Sequence, residues 1–531
     1  MTKFCPEKQK GDNHIIKKMS IRRLLKYSAF GGVGFGILSS LHTNNYDITS
    51  IGIVRFTNAA VAVFDIASQY QRNLYSKSVQ IMDHNSEEYL KLKSMVHQKG
   101  AERLLQLCCL NRGVYIKVGQ HIGALDYLLP TEYVQTMRVL HSQAPSSTLK
   151  EVYSVLRQDL GKEPEEVFAS IEPKPLGTAS LAQVHRAVLK DGRTVAVKVQ
   201  HAAVRGNSLV DMKTMELLVS VVSWLFPDFK FDWLVKETKR NIPIELNFHN
   251  EGKNAEKVEQ LLYKYSWLRV PKIYWNLTTQ RVLTMEFVEG GQVNDVNYIH
   301  SKGINPWLLS SRLGDMYSEM IFRHGFVHAD PHPGNILVKK DGNDFQVILL
   351  DHGLYAQLEP SFKRKYAQFW LSVLNSDMTA MKRIAMELGV GDLFWLFSCM
   401  VTGRTWEAIS GGITRSRPNA NEKNLFQEHI PNFLPQINSV LEHVDRQMLL
   451  LFKTNDLLRG IEHTLKTHGR RAALLAMATK CVHTEYQEQR KESFGSLQRS
   501  VISLCESWSL IKIKIWYWFI CIQDYFGLAT A

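Results

Sequence analysis

Residues 328–335 read His-Ala-Asp-Pro-His-Pro-Gly-Asn, which places Asp330 and Asn335 five residues apart. A predicted β-hairpin follows, with its turn at Asp341-Gly342, where the glycine supplies the positive φ that such a turn requires. The second strand of this hairpin ends at Asp351, which lies 21 residues past Asp330 and opens an Asp-x-Gly sequence. Carboxylate and amide oxygens are ligands that Mg²⁺ prefers, so we predict that Asn335 and Asp351 bind it.

An upstream hairpin predicts where the cation of the site lies. Two runs rich in β-branched residues, 184–189 and 194–199, flank Asp191-Gly192, and the second run carries Lys198 near its end. A lysine is costly to bury without an anion beside it. We therefore expect a carboxylate from a nearby helix to contact Lys198, and Glu251 is the candidate.

A strand lysine, an Asp/Asn pair and a later Asp-x-Gly occur here in the order found in protein kinases. Phosphoryl transfer requires the phosphate charges to be neutralised and held in line. Lys198 is then predicted to contact the α- and β-phosphates of ATP or ADP, and Asp330 to orient the acceptor hydroxyl or water. Each motif alone is weak, because a surface Asp-x-Gly is usually a turn. Together they predict an α+β, bilobal, kinase-like fold that binds nucleotide and Mg²⁺, with Asp330, Lys198 and Glu251 as catalytic residues.

The phosphate-binding loop differs from that of standard protein kinases. Residues 175–184 read Pro-Leu-Gly-Thr-Ala-Ser-Leu-Ala-Gln-Val and contain one glycine in place of a glycine-rich loop. Backbone approach to phosphates is restricted as a result, because only glycine tolerates every φ. A third strand is predicted at 281–288, and Glu286 lies in a segment of it that fits the link between two kinase lobes and equally fits an ordinary strand end. Besides Lys198, Asn335 and Asp351, the predicted nucleotide-binding residues are Gly177, Thr178, Ala179, Ser180, Val184 and Glu286.

Four segments resemble the UbiB/aarF-domain-containing family of atypical kinases, over about residues 50–470. Residues 117–120 match the family's Lys-x-Gly-Gln signature, and residues 177–180 are similar to its alanine-rich loop. Residues 245–251 resemble its Glu-x-Asp motif followed by the lysine-pairing Glu, and residues 328–335 match its catalytic loop residue for residue.

The resemblance implies an N-terminal helical extension that folds over the active site, anchored by the Glu-x-Asp segment. Lys117 is then expected to occupy part of the pocket where a protein substrate would otherwise sit. The regulatory residues implied are Lys117, Gln120, Glu245 and Asn247. Two departures stand out: Asn247 replaces the family's Asp, and Gly177-Thr178 replaces two alanines, which is expected to loosen the loop and raise ATP tolerance.

Charge and composition indicate location. The 531 residues carry a net charge of +13, of which +6 lies in residues 1–30, and residues 19–46 contain no acid. Such an N-terminus is typical of a mitochondrial transit peptide, with a solvated basic tail as the alternative. The apolar segment 28–41 is shorter than a bilayer span. Nucleic-acid binding is disfavoured, because no basic patch interleaved with aromatic residues stands out.

The C-terminus is apolar and aromatic. Residues 511–522 read IKIKIWYWFICI, which suits either a segment lying on a membrane or a terminal element docked on the protein surface. The sequence and the resemblance together divide the chain as follows: 1–45, targeting and possible membrane segment; 46–148, helical extension; 149–290, kinase-like N-lobe; 291–480, helical C-lobe; 481–531, helical and aromatic tail. Within the C-lobe, residues 305–325, 360–400 and 420–480 are predicted to be mostly helical.

Family membership implies an atypical kinase or ATPase at the mitochondrial inner membrane that supports coenzyme Q and lipid homeostasis. The expected partners are nucleotide, an anionic, cardiolipin-like lipid, a quinone-like lipid and inner-membrane proteins. Two alternatives stay open: a pseudokinase whose nucleotide stabilises a scaffold, and a small-molecule phosphotransferase. The glycine-poor loop and Lys117 favour the scaffold, and the intact carboxylates favour an enzyme.

Overall fold

The computed structural model describes residues 51–76, 79, 81–83, 86–123, 129–141, 144–226, 232–411, 440, 444–467 and 472–525. The predicted targeting segment 1–45, including the apolar segment 28–41, lies outside these residues. Among the helices described, none combines the length and the apolar character needed to cross a membrane.

The N-terminal extension is helical, as the sequence predicts. Its helices are α1 (Gly52–Asn73), α2 (Glu87–Asn111), α3 (Val114–Gly123) and α4 (Thr131–Arg138). They enclose a core that includes Ala59, Leu107, Ile116 and Met137. Gly119 is a close-packing point in this core, because a Cβ added there would lie 2.4 Å from Leu140 Cδ1.

The N-lobe contains a five-stranded antiparallel sheet in the order β1-β3-β4-β6, with β2 paired to β3. The strands are β1 (Phe168–Ile171), β2 (Gly177–Thr178), β3 (Ala182–Leu189), β4 (Thr194–Gln200) and β6 (Val282–Glu286). The sheet lies against α5 (Leu149–Leu160), which starts at a capping box formed by Thr148 and Glu151 and is followed by the short α6 (Pro164–Val167). Both strands of the predicted 184–199 hairpin are present, and so is the third strand predicted near 281–288.

Two helices between β4 and β6 were not predicted. They are α7 (Val204–Leu225) and α8 (Asp232–Glu245), and they are followed by α9 (Phe248–Leu261). Arg55 of α1 donates two hydrogen bonds, at 2.7 and 2.6 Å, to the buried carboxylate of Asp211 on α7. A small apolar cluster joins α3 to these helices through Val114, Met212 and Ile242. The extension is therefore packed onto the N-lobe.

The C-lobe is mainly helical and holds the largest core, which includes Tyr317, Tyr366 and Trp370. Its helices are α10 (Val296–Ser301), α11 (Pro306–Ser318), α12 (Pro360–Leu374), α13 (Met378–Glu387), α14 (Phe394–Thr402), α15 (Trp406–Ser410), α16 (Arg446–Thr464), α17 (Ala472–Glu492) and α18 (Ser496–Tyr525). The predicted helical stretch 305–325 is α11 extended by a π-helical turn at Glu319–His324. The predicted stretch 360–400 is three helices, with breaks between them.

Two small sheets support the catalytic loop. One has the order β5-β10-β9-β7 and the other pairs β11 with β8. Their strands are β5 (Leu268–Arg269), β7 (Gly291–Gln292), β8 (Phe326–His328), β9 (Ile336–Asp341), β10 (Asp344–Leu349) and β11 (Tyr355–Gln357). The antiparallel pair β9–β10 is the hairpin predicted around Asp341-Gly342. Asp330 and Asn335 therefore lie between β8 and β9, and Asp351 follows β10.

Candidate active site

The predicted Lys198–Glu251 ion pair is present. Lys198, on the central strand β4, lies with its Nζ 2.6 Å from Oε1 of Glu251 on α9, and the ring of Phe248 lies 5.3 Å from the same Nζ. Burial alone would lower the pKa of Lys198, but Asp351 and Glu251 outweigh it and raise this pKa. Burial raises the pKa of Glu251, and the ammonium of Lys198 offsets part of that shift. Lys198 is therefore a charged, fixed cation.

Asp351 lies next to this cation, and Asn335 is hydrogen-bonded through its backbone to the residue before Asp351. Asp351 Oδ1 accepts a hydrogen bond from Gly353 N at 2.8 Å, and its Oδ2 lies 3.8 Å from Lys198 Nζ. The backbone carbonyl of Asn335 accepts a hydrogen bond from Leu350 N at 3.0 Å, which holds Asn335 beside Asp351. Although burial opposes it, the charge of Lys198 helps to lower the pKa of Asp351 to about 2. Asp351 is thus held ionised beside Lys198, as its predicted role of metal ligand requires.

A second ion cluster joins the extension to the catalytic loop. Lys117 Nζ, on α3, lies 2.6 Å from Asp330 Oδ2 and 2.9 Å from Glu245 Oε2. Burial would raise the pKa of Asp330, but the charge of Lys117 outweighs it and holds that pKa well below its usual value. Lys117 is itself buried, and its ammonium neutralises the group predicted to act on the acceptor.

Glu245 carries the least satisfied carboxylate of this cluster. Its Oε1 is buried and has no hydrogen-bond partner among the described residues. Burial raises the pKa of Glu245 to about 7; Lys117 opposes the shift and Asp330 adds to it. Two carboxylates share one ammonium here, and Glu245 is the one that retains its proton to higher pH.

The raised pKa of Glu245 predicts a pH dependence of stability. Between its usual pKa of 4.5 and its folded pKa of about 7, the folded chain binds more protons than the unfolded chain. The contribution of Glu245 to the free energy of unfolding therefore decreases as pH rises through this window. We expect the free energy of unfolding of wild type, minus that of Glu245→Gln, to decrease from pH 5 to pH 8 when both are measured by denaturant unfolding.

The matched control for this experiment is Glu259→Gln, an exposed position on α9. The control should show no comparable trend between pH 5 and pH 8. A stability difference that stays constant from pH 5 to pH 8 would contradict the prediction, because it would mean that the ion pair with Lys117 keeps Glu245 ionised throughout this range.

The glycine-poor loop lies directly beside Lys198. In the sheet register Gly177 pairs with Val184, and Val184 pairs with Lys198. The loop is tied to the lobe by His201, whose Nε2 lies 3.2 Å from the Ala179 carbonyl and whose Nδ1 lies 2.8 Å from Ser147 Oγ. Thr178 is half-buried and Ser180 is buried. The predicted loop residues 177–180 and Val184 thus lie on β2, β3 and the turn between them, next to the strand that carries Lys198.

Three predicted site residues make other contacts. Gln120 donates to the Leu140 carbonyl at 3.0 Å, which ties α3 to the end of the extension. Asn247 caps α9, accepting a hydrogen bond from His249 N at 3.2 Å. The side chain of Glu286 lies 2.5 Å from Arg269 Nη2, and its backbone N donates to the Lys272 carbonyl at 2.8 Å. Within the Glu-x-Asn segment it is Glu245 that contacts Lys117.

The structure adds residues to the site that sequence reasoning did not assign. His328 Nε2 lies 2.9 Å from the Asp351 carbonyl, and its Nδ1 accepts from Asp330 N at 3.2 Å, so this ring joins the two aspartate segments. His332 Nδ1 accepts from Gly334 N at 3.1 Å, and its ring stacks on His141 at 4.8 Å. Through these contacts His328 and His332 support the loop. Lys453 of α16 also lowers the pKa of Asp330.

The predicted ligand pair fits a metal ion that binds together with the phosphates of a nucleotide. The described residues include no group of three or more His, Cys, Asp or Glu side chains able to hold a metal ion. Mg²⁺ in phosphate sites commonly takes one or two protein ligands and completes its shell with water and phosphate oxygens. Asn335 and Asp351 supply such a pair beside the cation of Lys198, and the orphaned Glu245 Oε1 lies in the same region.

Comparison with known proteins agrees with these features. The ABC1 atypical kinase-like domain family matches residues 139–385. AarF domain-containing kinase 1 of Drosophila melanogaster is 54% identical over 520 residues, covering 97% of this chain and 99% of the relative. AarF domain-containing protein kinase 1 of Gallus gallus is 50% identical, covering 94% and 96%, and that of Mus musculus is 48% identical, covering 93% and 94%. The resemblance drawn from the sequence motifs is confirmed, and the chain belongs to the ABC1/AarF family of atypical kinases.

Proposed function

We propose that this protein binds a magnesium–nucleotide complex and hydrolyses ATP or transfers its terminal phosphoryl group. The observation that carries the proposal is the pair of carboxylates around one cation: Glu251 lies 2.6 Å and Asp351 lies 3.8 Å from Lys198 Nζ. When bound, Mg²⁺ supplies charge neutralisation of the phosphates. Lys198 holds the α/β-phosphates, Asn335 and Asp351 hold the metal, and Asp330 orients the acceptor hydroxyl or water.

The test is a thermal-shift titration followed by single-turnover hydrolysis. Purified protein should gain thermal stability with Mg-ATP or Mg-ADP and lose that gain when EDTA is added, because a ligand that binds only the folded state stabilises it. Radiolabelled ATP under single-turnover conditions should then yield phosphate. The absence of any magnesium-dependent thermal shift would contradict the proposal.

Lys117 is expected to limit which acceptors can receive the phosphoryl group. Its ammonium forms an ion pair with Asp330 and occupies the side of the site where an acceptor would approach. We propose that Lys117 favours water or a small acceptor over a protein substrate. Release of Asp330 requires Lys117 to exchange this carboxylate for another anion, and Glu245 is already in contact with it.

A nucleotide-dependent scaffold is the second candidate, and the same ion pair favours it. If Lys117 stays on Asp330, bound nucleotide would stabilise the fold without turnover. Stabilisation by nucleotide without hydrolysis would identify the scaffold. A third candidate, a small-molecule phosphotransferase, predicts a phosphorylated metabolite that depends on Asp330, which metabolite profiling would detect.

We further propose that the protein acts at the mitochondrial inner membrane, in contact with an anionic, cardiolipin-like lipid and in support of coenzyme Q and lipid homeostasis. A quinone-like lipid and inner-membrane proteins are the proposed partners. The basic N-terminus and the family resemblance support this location. Hydrolysis measured with and without cardiolipin-containing vesicles, on chains with and without residues 1–50, tests the proposal. Identical rates in all four combinations would contradict it.

Replacement of Gly177 in the phosphate loop is expected to change the preference between ATP and ADP. A Cβ at Gly177 would meet no atom within 4 Å, so Gly177→Ala should leave the fold intact while restricting the loop. We expect the ratio of the Kd for Mg-ATP to the Kd for Mg-ADP to be at least about threefold higher in this variant than in wild type. Isothermal titration with each nucleotide measures the ratio.

Gly206→Ala is the matched control, because a Cβ there also meets no atom within 4 Å and the residue lies on α7, away from the loop. It should leave the ATP-to-ADP ratio unchanged. An unchanged ratio in Gly177→Ala would show that the loop glycine does not set nucleotide preference.

A further inference from the structure

Helix α18 leaves a continuous apolar stripe exposed. The stripe residues recur at alternating spacings of four and three, and each keeps between 45% and 80% of its surface in solvent: Leu497, Val501, Leu504, Trp508, Ile511, Ile515 and Trp518. At 1.5 Å per residue the stripe is about 32 Å long. Single exposed apolar side chains are ordinary, but a contiguous stripe of this length indicates an interaction surface.

The opposite face of α18 is already in contact with the protein. Ile513 and Trp516 are buried against a cluster on α12 and α17. Glu506 forms ion pairs with Arg490 and with His483, whose Nδ1 lies 2.7 Å from Glu506 Oε1. These contacts fix the rotation of the helix, so the stripe faces outward and no described residue covers it.

The charges beside the stripe are positive. Glu506 is the only acidic residue between Ser496 and Trp518, and it is buried in its ion pairs. Lys512 and Lys514 are exposed, and at 100° per residue they lie on opposite flanks of the stripe. Lys512 Nζ lies 5.8 Å from the centroid of the Trp508 ring. Tryptophan and isoleucine flanked by lysine are typical of helices that lie in a membrane interface.

A second copy of the chain fits this surface less well. Spacings of three and four also occur in coiled coils, where residues flanking the apolar seam carry opposite charges. Pairing two α18 helices would bring lysines together, and the helix exposes no acid among its described side chains to neutralise them. An anionic surface satisfies both the stripe and its flanking charges.

We propose that the exposed stripe of α18 is a docking surface for an anionic lipid membrane, with the lysines at the headgroups and the apolar side chains in the interface. Because the other face of α18 packs on the C-lobe, the helix would lie along the membrane and hold the kinase-like domain against it. This inference rests on the membrane contact proposed above, and the surface shares no residue with the candidate active site.

The experiment is flotation of the full chain with vesicles of phosphatidylcholine, with and without cardiolipin. The double variant Trp508→Glu/Ile515→Glu should weaken binding to cardiolipin vesicles at least about tenfold, because two apolar anchors are replaced by acids. The control is Trp224→Glu, a similarly exposed tryptophan on α7, which should bind like wild type. Lys512→Gln/Lys514→Gln should weaken binding to cardiolipin vesicles and leave binding to neutral vesicles unchanged.

Wild-type binding by the double variant, or an equal loss in Trp224→Glu, would overturn the proposal. A wild-type dimer in sedimentation that the double variant loses, with vesicle binding unchanged, would also overturn it and assign the stripe to a second copy. Hydrolysis without vesicles should be the same in all variants, which separates failure of this proposal from failure of the proposed enzyme. If the double variant loses its cooperative melting transition, the milder variant Leu504→Ser takes its place. Leu504→Ser is expected to bind vesicles more weakly than wild type. Binding equal to wild type would overturn the proposal.

Discussion

Replacement of Asp351 by Asn is expected to abolish magnesium-dependent nucleotide binding. Asp351 is held ionised beside Lys198, with a pKa of about 2, and it supplies the only carboxylate of the predicted Asn335–Asp351 ligand pair. An amide at this position keeps the shape but removes the negative charge that Mg²⁺ requires. Because even outer-shell changes cost 10–100-fold in metal affinity, we expect loss of a direct ligand to weaken Mg-nucleotide binding by at least about 100-fold.

The measurement is the thermal shift with Mg-ADP, compared with the shift with ADP in EDTA. Asp392→Asn is the matched control, since Asp392 is an exposed aspartate that contacts Lys382 at the surface. The control should retain the full magnesium-dependent shift. Equal nucleotide binding by wild type and Asp351→Asn would refute both the ligand assignment and the proposed enzyme.

Replacement of Asp330 by Asn is expected to separate binding from turnover. Asp330 contacts Lys117, whereas the Lys198 cluster that is proposed to hold nucleotide does not depend on it. An Asn cannot accept a proton from the attacking group, and loss of such a residue typically costs 10²–10⁴-fold in rate. We therefore expect Asp330→Asn to keep its Mg-ADP thermal shift and to lose at least about 100-fold in single-turnover hydrolysis.

Two outcomes would contradict the Asp330 prediction. Hydrolysis at the wild-type rate would mean that Asp330 does not act on the nucleophile, and loss of nucleotide binding would mean that it belongs to the metal site. Asp392→Asn again serves as the control for a surface aspartate, and its rate should match wild type. A wild-type chain that binds nucleotide and shows no turnover would instead favour the scaffold.

Local sequence patterns were sufficient for the parts of the fold that close within a few residues. Both Asp-Gly hairpins, at 189–194 and 341–344, occur as predicted, because turn chemistry and strand periodicity act over short distances. Helices α7 and α8 were not predicted. They pack on the extension through contacts such as the Arg55–Asp211 ion pair, which spans 156 residues of sequence and which no local pattern contains.

The sequence by itself was sufficient to predict which residues carry the chemistry, because Lys198, Asp330, Asn335 and Asp351 occur at spacings that few folds require. The tertiary structure alone decided how the other charges are paired. In the folded chain Lys117 contacts Asp330, 213 residues away in sequence, and Asn247 caps a helix. It also left one face of α18 exposed. Such pairings depend on how helices pack after the chain has folded, and packing joins residues that are far apart in sequence.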